Sequence, residues 1–135
     1  MGTSSADIFE QYLRTGVGAK SIIAGYESQV LEFAVENTEI WNSVKEDIVI
    51  IYPEPTIWST HVYIALNEKG LKGIDALMRD DVQRLAWEKH GYRTSVYKKG
   101  SDNSKFGVSG VADDITMVMP MPDVNTMDKI INSLK

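Results

Sequence analysis

Tyr26, Glu27 and Ser28 are the residues of the sequence best suited to bind a ligand. They follow a short apolar run, Ser21–Gly25, which is typical of a buried strand, and they precede a segment with helical periodicity. A turn from a strand end into a helix presents free backbone amides and the positive end of the helix dipole. Ser28 would add a hydroxyl, and Tyr26 a ring with a polar tip. The pattern predicts a site for a small molecule or ion.

Glu27 leaves the charge of that ligand open. A helix N-terminus attracts anions, whereas a carboxylate at the same place repels them. Glu27 either stabilises the helix dipole or selects a ligand that carries a positive charge or hydroxyl groups. The simpler interpretation is that Tyr26 and Ser28 only form a turn and a helix cap.

A second group of candidate residues surrounds the segment Pro53–Pro55. The preceding Asp47–Tyr52 is apolar and β-branched, as expected for a strand covered on both faces. The prolines interrupt strand pairing because proline has no amide to donate. Thr56–Leu66 then alternates apolar and polar residues with the period of a strand. The candidate ligand-binding residues of this region are Tyr52, Thr56 and Ser59.

The sequence gives little support to catalysis. It contains no cysteine, which excludes thiolate nucleophiles, disulfides and thiolate metal sites. Ser59 and His61 stand two residues apart on a predicted strand, a spacing that does not give a nucleophile its base, and no nucleophile elbow is present. His90 fits the end of a helix, where it favours the helix dipole. We therefore expect no catalytic residue, no metal ligand and no cofactor.

Composition and charge indicate one ordinary globular domain. The 135 residues are 43% hydrophobic and 24% charged, which suffices for a core without disulfides. The net charge of -5 argues against a nucleic-acid partner, because such a partner selects a basic surface. Residues 1–5 lack the basic and apolar segments of a signal peptide. They are expected to be either residues added ahead of the domain or a disordered N-terminal end. The domain is expected to cover residues 6–135.

Predicted helices alternate with predicted strands along the chain. The helices are expected at Ala6–Thr15, from Ser28 or Gln29 to about Asn37, at Glu68–Met78, from Asp80 or Asp81 to His90, and after Pro122–Asp123. Asn67 is the expected N-cap of the third helix, Asp80 or Asp81 that of the fourth, and Gly91 the C-terminal cap of the fourth. Lys98–Gly110 is rich in Gly, Ser, Asn and Asp and is expected to be a loop. The strands are expected at Ser21–Gly25, Asp47–Tyr52, Thr56–Leu66 and Ile115–Met119. Side chains expected to face inward include Leu85, Met127, Ile130, Ile131 and Leu134. This alternation predicts an α/β fold with a mixed, mostly parallel sheet and helices on both faces.

Three segments, taken in order, resemble a known family. They are Ser21–Gln29, Ile50–Ser59 and Leu85–Arg93. Together they are similar to type II periplasmic binding proteins, in particular the extracellular solute-binding proteins related to the molybdate-binding group. The resemblance covers Ala6–Lys135 and is to the C-terminal half of such a protein. The family's first lobe, and the first part of its second lobe, have no counterpart in this chain.

The resemblance implies a function in solute binding without catalysis. In that family two lobes close over a ligand, which implies that Gly25–Ser28 faces the cleft and that Tyr52–Ser59 is a hinge crossover. The domain would then bind a small molecule or ion outside the cytoplasm, in the periplasm or at the cell surface. The parent protein would present the ligand to a membrane permease, as in ABC transport, or to a sensor, and its signal peptide would lie outside this chain.

The alternative is a protein-interaction or dimerisation module derived from such a lobe. A lobe without its other half is expected to expose apolar surface, and exposed apolar patches mark interfaces. A homodimer would bury that surface. The first residues to examine on it are Trp41, Trp58, Trp87 and Tyr92.

Overall fold

The computed structural model describes residues 5–15, 21–95 and 102–134. These residues form six α-helices and two 3₁₀ turns. The α-helices are α1 (Ser5–Thr15), α2 (Glu27–Glu36), α3 (Thr38–Val44), α4 (Glu68–Leu77), α5 (Asp80–His90) and α6 (Val124–Ser133), and the 3₁₀ turns are Lys45–Asp47 and Ser104–Phe106. None of the helices in these ranges has the length and apolar character that crossing a lipid bilayer requires.

The chain divides into two compact units. The first is drawn from Met1–Ile51 and Tyr63–Asp114 and contains α1 to α5. The second is drawn from Tyr52–Val62 and Ile115–Lys135 and contains α6. The buried residues among those described all belong to the first unit.

The predicted α/β fold is wrong, because the described residues contain no β-strand. Their β-type pairing is limited to one isolated parallel bridge between Thr56 and Val118. In that bridge the Thr56 amide donates to the Met117 carbonyl at 3.0 Å, and the Met119 amide donates to the Thr56 carbonyl at 2.8 Å. The predicted mostly parallel sheet is therefore replaced by a helical architecture.

The failure of the strand predictions has a physical reason. A strand persists only where a neighbouring strand completes its hydrogen-bond ladder, and a β-branched apolar sequence does not supply that neighbour. In Ser21–Gly25 and Asp47–Tyr52 only part of the apolar side chains is covered. Ile22 is 84% exposed, Val49 79% and Ile51 80%, whereas Ile23, Ile48 and Ile50 are partly buried against the core. These segments have the β-branched, apolar composition of buried strands, but their backbones are not assigned as paired strands.

The core of the first unit lies where α1, α2, α3 and α5 meet the Ser104–Phe106 turn. Trp87 of α5 is 1% exposed, and its ring meets Phe106 edge-on with 5.2 Å between centroids. Leu31 of α2 is completely buried, a burial that contributes roughly 1.5 to 3 kcal/mol. The Trp41 indole N–H donates to the Gly107 carbonyl at 3.0 Å, which ties α3 to the turn. The remaining buried apolar residues are Phe9, Leu13, Val30, Phe33, Ala34 and Val108.

Helix α3 was not predicted, although it contributes Trp41 to this core. Asn37 both ends α2 and begins α3, so the two helices follow each other without a loop. The apolar residues Ile40, Trp41 and Val44 are the signal in the sequence that indicates this helix. The turn Ser104–Phe106 likewise falls within a stretch that was expected to be a loop, and it supplies the buried Phe106.

Most helix ends lie where the capping residues of the sequence indicate them. The Asn67 side chain accepts from the Gly70 amide at 3.0 Å at the start of α4, as predicted. Asp123 accepts from the Thr126 amide at 2.9 Å at the start of α6. Gly91 ends α5 in the left-handed conformation, with φ of 65°. The predicted cap of α5 by Asp80 or Asp81 is wrong, because Arg79 occupies the cap position.

Several side chains that were expected to face inward are exposed. Leu85 of α5 is 57% exposed. In α6, Ile130 is 44%, Ile131 48% and Leu134 82% exposed. An amphipathic pattern shows which face of a helix is apolar, but burial of that face also requires a packing partner.

Gly91 and Gly107 have the same left-handed backbone conformation, but only at Gly91 would a side chain collide with a neighbour. Substituting each by alanine therefore distinguishes the cost of a steric clash from the cost of backbone strain. A Cβ at Gly91 would lie 2.5 Å from the Leu31 Cβ, whereas a Cβ at Gly107, where φ is 60°, meets nothing within 4 Å. We expect Gly107→Ala to cost about 1 to 2 kcal/mol of unfolding free energy from the left-handed backbone alone. Gly91→Ala should cost about 1 to 3 kcal/mol more from overpacking. Urea unfolding of both variants measures this difference, and equal losses would contradict the close approach of α5 to Leu31.

Candidate functional site

The six predicted ligand-binding residues divide between the two units. The first unit contains Tyr26, Glu27 and Ser28, and the second contains Tyr52, Thr56 and Ser59.

The first three residues lie at the start of α2. Helix α2 begins at Glu27, and Tyr26 is its N-cap, with an extended backbone at φ of −93° and ψ of 145°. The Tyr26 amide donates to Gln29 Oε1 at 2.9 Å, and the Gln29 amide donates back to the Tyr26 carbonyl at 3.1 Å. These two hydrogen bonds close the first turn and leave the Tyr26 side chain 56% exposed. Gln29 was absent from the predicted site, yet it holds this turn in shape.

Glu27 forms a largely buried, two-point ion pair with Arg93. Arg93 Nε donates to Glu27 Oε1 at 2.8 Å, and Arg93 Nη2 donates to Glu27 Oε2 at 3.0 Å. The Glu27 side chain is 13% exposed and the Arg93 side chain is 5% exposed. Two parallel N–H···O bonds of this kind fix the relative orientation of both groups.

Arg93 also contacts the rest of the core. Its Nη1 donates to the Asp113 carbonyl at 3.2 Å, and its Nη2 donates to the Ala112 carbonyl. The guanidinium carbon lies 5.6 Å from the centroid of the Trp87 ring, within the range of a cation–π interaction. One arginine therefore joins the start of α2, the end of α5 and the 112–113 segment.

This geometry changes how Glu27 is interpreted. Both of its carboxylate oxygens accept hydrogen bonds from Arg93, so the side chain secures the first turn of α2. The guanidinium also offsets the negative charge that would otherwise repel an anion from the helix N-terminus. Sequence reasoning missed Arg93, although it lies in one of the three family-like segments, because Glu27 and Arg93 are 66 residues apart.

The three candidate residues of the second unit, Tyr52, Thr56 and Ser59, do not lie at the start of a helix. Thr56 uses both its backbone amide and its carbonyl in the bridge to residues 117–119. Tyr52 is half-buried and Ser59 is exposed. The hinge crossover that was predicted for Tyr52–Ser59 remains a prediction.

A shallow cavity of about 330 Å³ lies elsewhere in the first unit. It is lined by Ala34, Val35, Thr38, Trp41, Asn42, Ser104, Lys105, Phe106 and Gly107. Its volume is at the lower end for small-molecule sites. Lys105 is engaged with Glu88 at 2.7 Å, and the Trp41 indole with Gly107, so these polar groups are already satisfied within the protein. The cavity is therefore a weaker candidate than the start of α2.

His90 contacts a carboxylate of the neighbouring helix α2. Its Nδ1 lies 2.6 Å from Glu32 Oε1, which connects α5 to α2. The Lys89–Glu36 pair, at 3.8 Å, joins the same two helices. The described part of the chain contains no group of three or more histidine, aspartate or glutamate side chains that is placed to hold a metal ion.

No family model, curated protein or solved structure matches the chain. Its function is therefore inferred from the residues themselves and from their geometry.

Two exposed aspartates show how local hydrogen bonds set carboxyl titration in the first unit. Ser104 donates through both its hydroxyl, at 2.5 Å, and its amide, at 2.9 Å, to Asp102 Oδ1, and these bonds lower the pKa of Asp102. Arg79 contacts both oxygens of Asp81, at 2.9 and 2.6 Å, and these hydrogen bonds lower the pKa of Asp81.

Replacing Arg93 tests the importance of the buried pair. Arg93→Met leaves the largely buried Glu27 carboxylate without its cation, and we expect a loss of about 2 to 4 kcal/mol in the free energy of unfolding, somewhat less than for a fully buried pair. Arg79→Met is the matched control, because it removes a two-point pair with Asp81 whose side chains are 66% and 53% exposed. An exposed pair is worth at most about 1 kcal/mol. Chemical denaturation measures both variants, and losses of similar size would contradict the structural role of Arg93.

Removing the Ser104 hydroxyl tests the control of the Asp102 carboxyl. We expect Ser104→Ala to raise the pKa of Asp102 toward its ordinary value and to leave the pKa of Asp81 unchanged. Because the folded-state pKa of Asp102 is depressed, its stabilising effect is present above the unfolded-state pKa and is lost as the pH falls through the folded-state pKa. NMR titration of the side-chain carboxyl carbons measures both groups. An unchanged Asp102 pKa in the variant would contradict the proposed cause.

Proposed function

We propose that this chain is a non-catalytic solute-binding domain that binds a small molecule or ion at the start of α2 and acts outside the cytoplasm in uptake or sensing. The geometry around Tyr26 and Ser28 supports this proposal. The role in uptake or sensing outside the cytoplasm follows only from the resemblance proposed for three segments, which no family model or solved structure matches. In the parent protein the domain would present its ligand to a membrane permease or a sensor.

The observation that carries the proposal is the pairing of Glu27 with Arg93 at the first turn of α2. With both oxygens of Glu27 engaged by Arg93, the negative charge of this carboxylate at the helix N-terminus is paired. The hydroxyl of Ser28 has no hydrogen-bond partner among the described residues. An exposed tyrosine ring, a hydroxyl without a partner and a helix N-terminus thus lie within three consecutive residues.

An oxyanion is the ligand class that fits this arrangement best. The Ser28 hydroxyl can donate a hydrogen bond, and the helix dipole favours negative charge, whereas the Gln29 amide is already used within the turn. The paired Glu27 adds no net repulsion. Tyr26 would then cover the ligand with its ring or donate from its hydroxyl.

A thermal-shift screen tests the proposal. Molybdate, sulfate and phosphate are tested first, followed by sugars, amino acids and divalent metals. A ligand at 100 times its Kd stabilises the folded state by about 2.7 kcal/mol, which raises the Tm by several degrees. We expect an oxyanion to give this shift, and we expect Ser28→Ala and Tyr26→Ala to reduce it.

Ser43→Ala is the matched control for the screen. Ser43 is an exposed serine of α3, and its hydroxyl donates to the Ile40 carbonyl within the same helix. This variant should keep the full thermal shift. No shift with any ligand, or a shift that survives in both site variants, would contradict binding at the start of α2.

A protein-interaction module is the second candidate function. It is favoured by exposed apolar residues in each unit. In the second unit Ile57 is 74% and Val62 75% exposed, and in the first unit Ile64 is 74% and Leu66 89% exposed. Two of the tryptophans examined for such a surface are instead buried, Trp41 at 3% and Trp87 at 1% exposure. Self-association of the chain is the measurement that tests this candidate.

A further inference from the structure

We propose that the second unit binds a soft monovalent cation, Cu(I), through the thioether sulfurs of Met117, Met119 and Met121. These three side chains form the methionine site, which lies ahead of α6 in the 115–135 part of that unit. The site is independent of oxyanion binding at α2, because α2 belongs to the first unit and its ligand has the opposite charge.

Methionine is concentrated in this part of the chain. Four of its six methionines lie between residues 117 and 127, and three of these occupy every second position from 117 to 121. Because the chain contains no cysteine, methionine supplies all of its sulfur ligands. Thioethers are soft ligands that select Cu(I), whereas Mg²⁺ and Ca²⁺ require oxygen ligands and Zn²⁺ takes thiolate, imidazole or carboxylate.

The three thioethers are exposed, although the aliphatic side chains beside them are covered in part. Met117 is 56%, Met119 48% and Met121 75% exposed. Ile115 and Val118 are half-buried. Residues 115–122 contain no carboxylate, imidazole or amine that would compete for the ion or favour a harder one. The sulfurs are therefore accessible to an ion and are the only metal-binding side chains of their segment besides the hydroxyl of its threonine.

The backbone holds the methionine site in an extended arrangement. The Thr56 amide donates to the Met117 carbonyl at 3.0 Å, and the Met119 amide donates to the Thr56 carbonyl at 2.8 Å. Thr56 belongs to the same unit, so this bridge anchors the first half of the site within it. Met119 and Met121 each precede a proline, which restricts both to extended backbone conformations.

This arrangement allows the three sulfurs to converge on one ion. Alternate residues of an extended backbone point to the same side, and their Cα atoms lie about 6.6 Å apart. A methionine side chain is unbranched and has three rotatable bonds, so Met117 and Met121 can each turn toward the residue between them. Met119 has a sulfur ligand on either side, which makes it the residue on which the methionine site depends most.

Substitution of Met119 by leucine tests the site, because leucine keeps the apolar volume and removes the sulfur. Met78→Leu is the matched control, since Met78 of the first unit is 52% exposed and Met119 is 48% exposed. Competition with the chelator bicinchoninate, under anaerobic reducing conditions, measures the affinity of the full chain for Cu(I). We expect one ion per chain, an affinity at least about tenfold lower in Met119→Leu, and no change in Met78→Leu.

NMR of the chain with ¹³C-labelled methionine methyl groups locates the ion directly. Ag(I), added in chloride-free buffer, is the redox-stable probe for Cu(I). We expect the methyl resonances of Met117, Met119 and Met121 to shift in a saturable manner with Ag(I) and to stay in place with Zn²⁺, and that of Met78 to respond to neither. The proposal is overturned by a chain that binds neither Cu(I) nor Ag(I), by an affinity that Met119→Leu leaves unchanged, or by an equal response at Met78.

Discussion

The buried ion pair between Glu27 and Arg93 is the interaction on which the first unit depends. Either charge alone in this environment would cost several kcal/mol, so both groups must stay together. Because the guanidinium also contacts two backbone carbonyls and the Trp87 ring, it fixes three separate parts of the chain at once. A displacement of α2, of the end of α5 or of the 112–113 segment would leave a buried charge without its full set of partners.

The same pair gives the start of α2 its chemical character. A helix N-terminus followed by a free carboxylate would repel an anion, whereas one whose carboxylate is held by an arginine does not. The packing that holds Arg93 therefore also prepares the surface formed by Tyr26 and Ser28. The site would be preorganised by the core, because Gln29 closes the turn and Glu27 is locked before any ligand arrives.

Local signals in the sequence predicted local structure, and failed where the structure depends on distant partners. The N-cap at Asn67, the start of α6 after Asp123 and the glycine cap at Gly91 were predicted correctly, because each depends on a few neighbouring residues. The strands were wrong because pairing is non-local, and the described chain pairs only Thr56 with Val118 in this way. Within the candidate site, the sequence indicated the start of α2 but not Arg93, whose contact with Glu27 arises only from folding.

The most direct test of binding at the start of α2 is an ¹H–¹⁵N NMR titration of the folded chain with molybdate, sulfate and phosphate. Bound oxyanions would shift the amide resonances of the first turn of α2, at residues 27–29, in a saturable manner, and Ser28→Ala would weaken that binding. Shifts that appear instead around Trp41 and Lys105 would assign the ligand to the cavity beside α3. Amides of the first turn that do not respond to any of these anions would contradict oxyanion binding there.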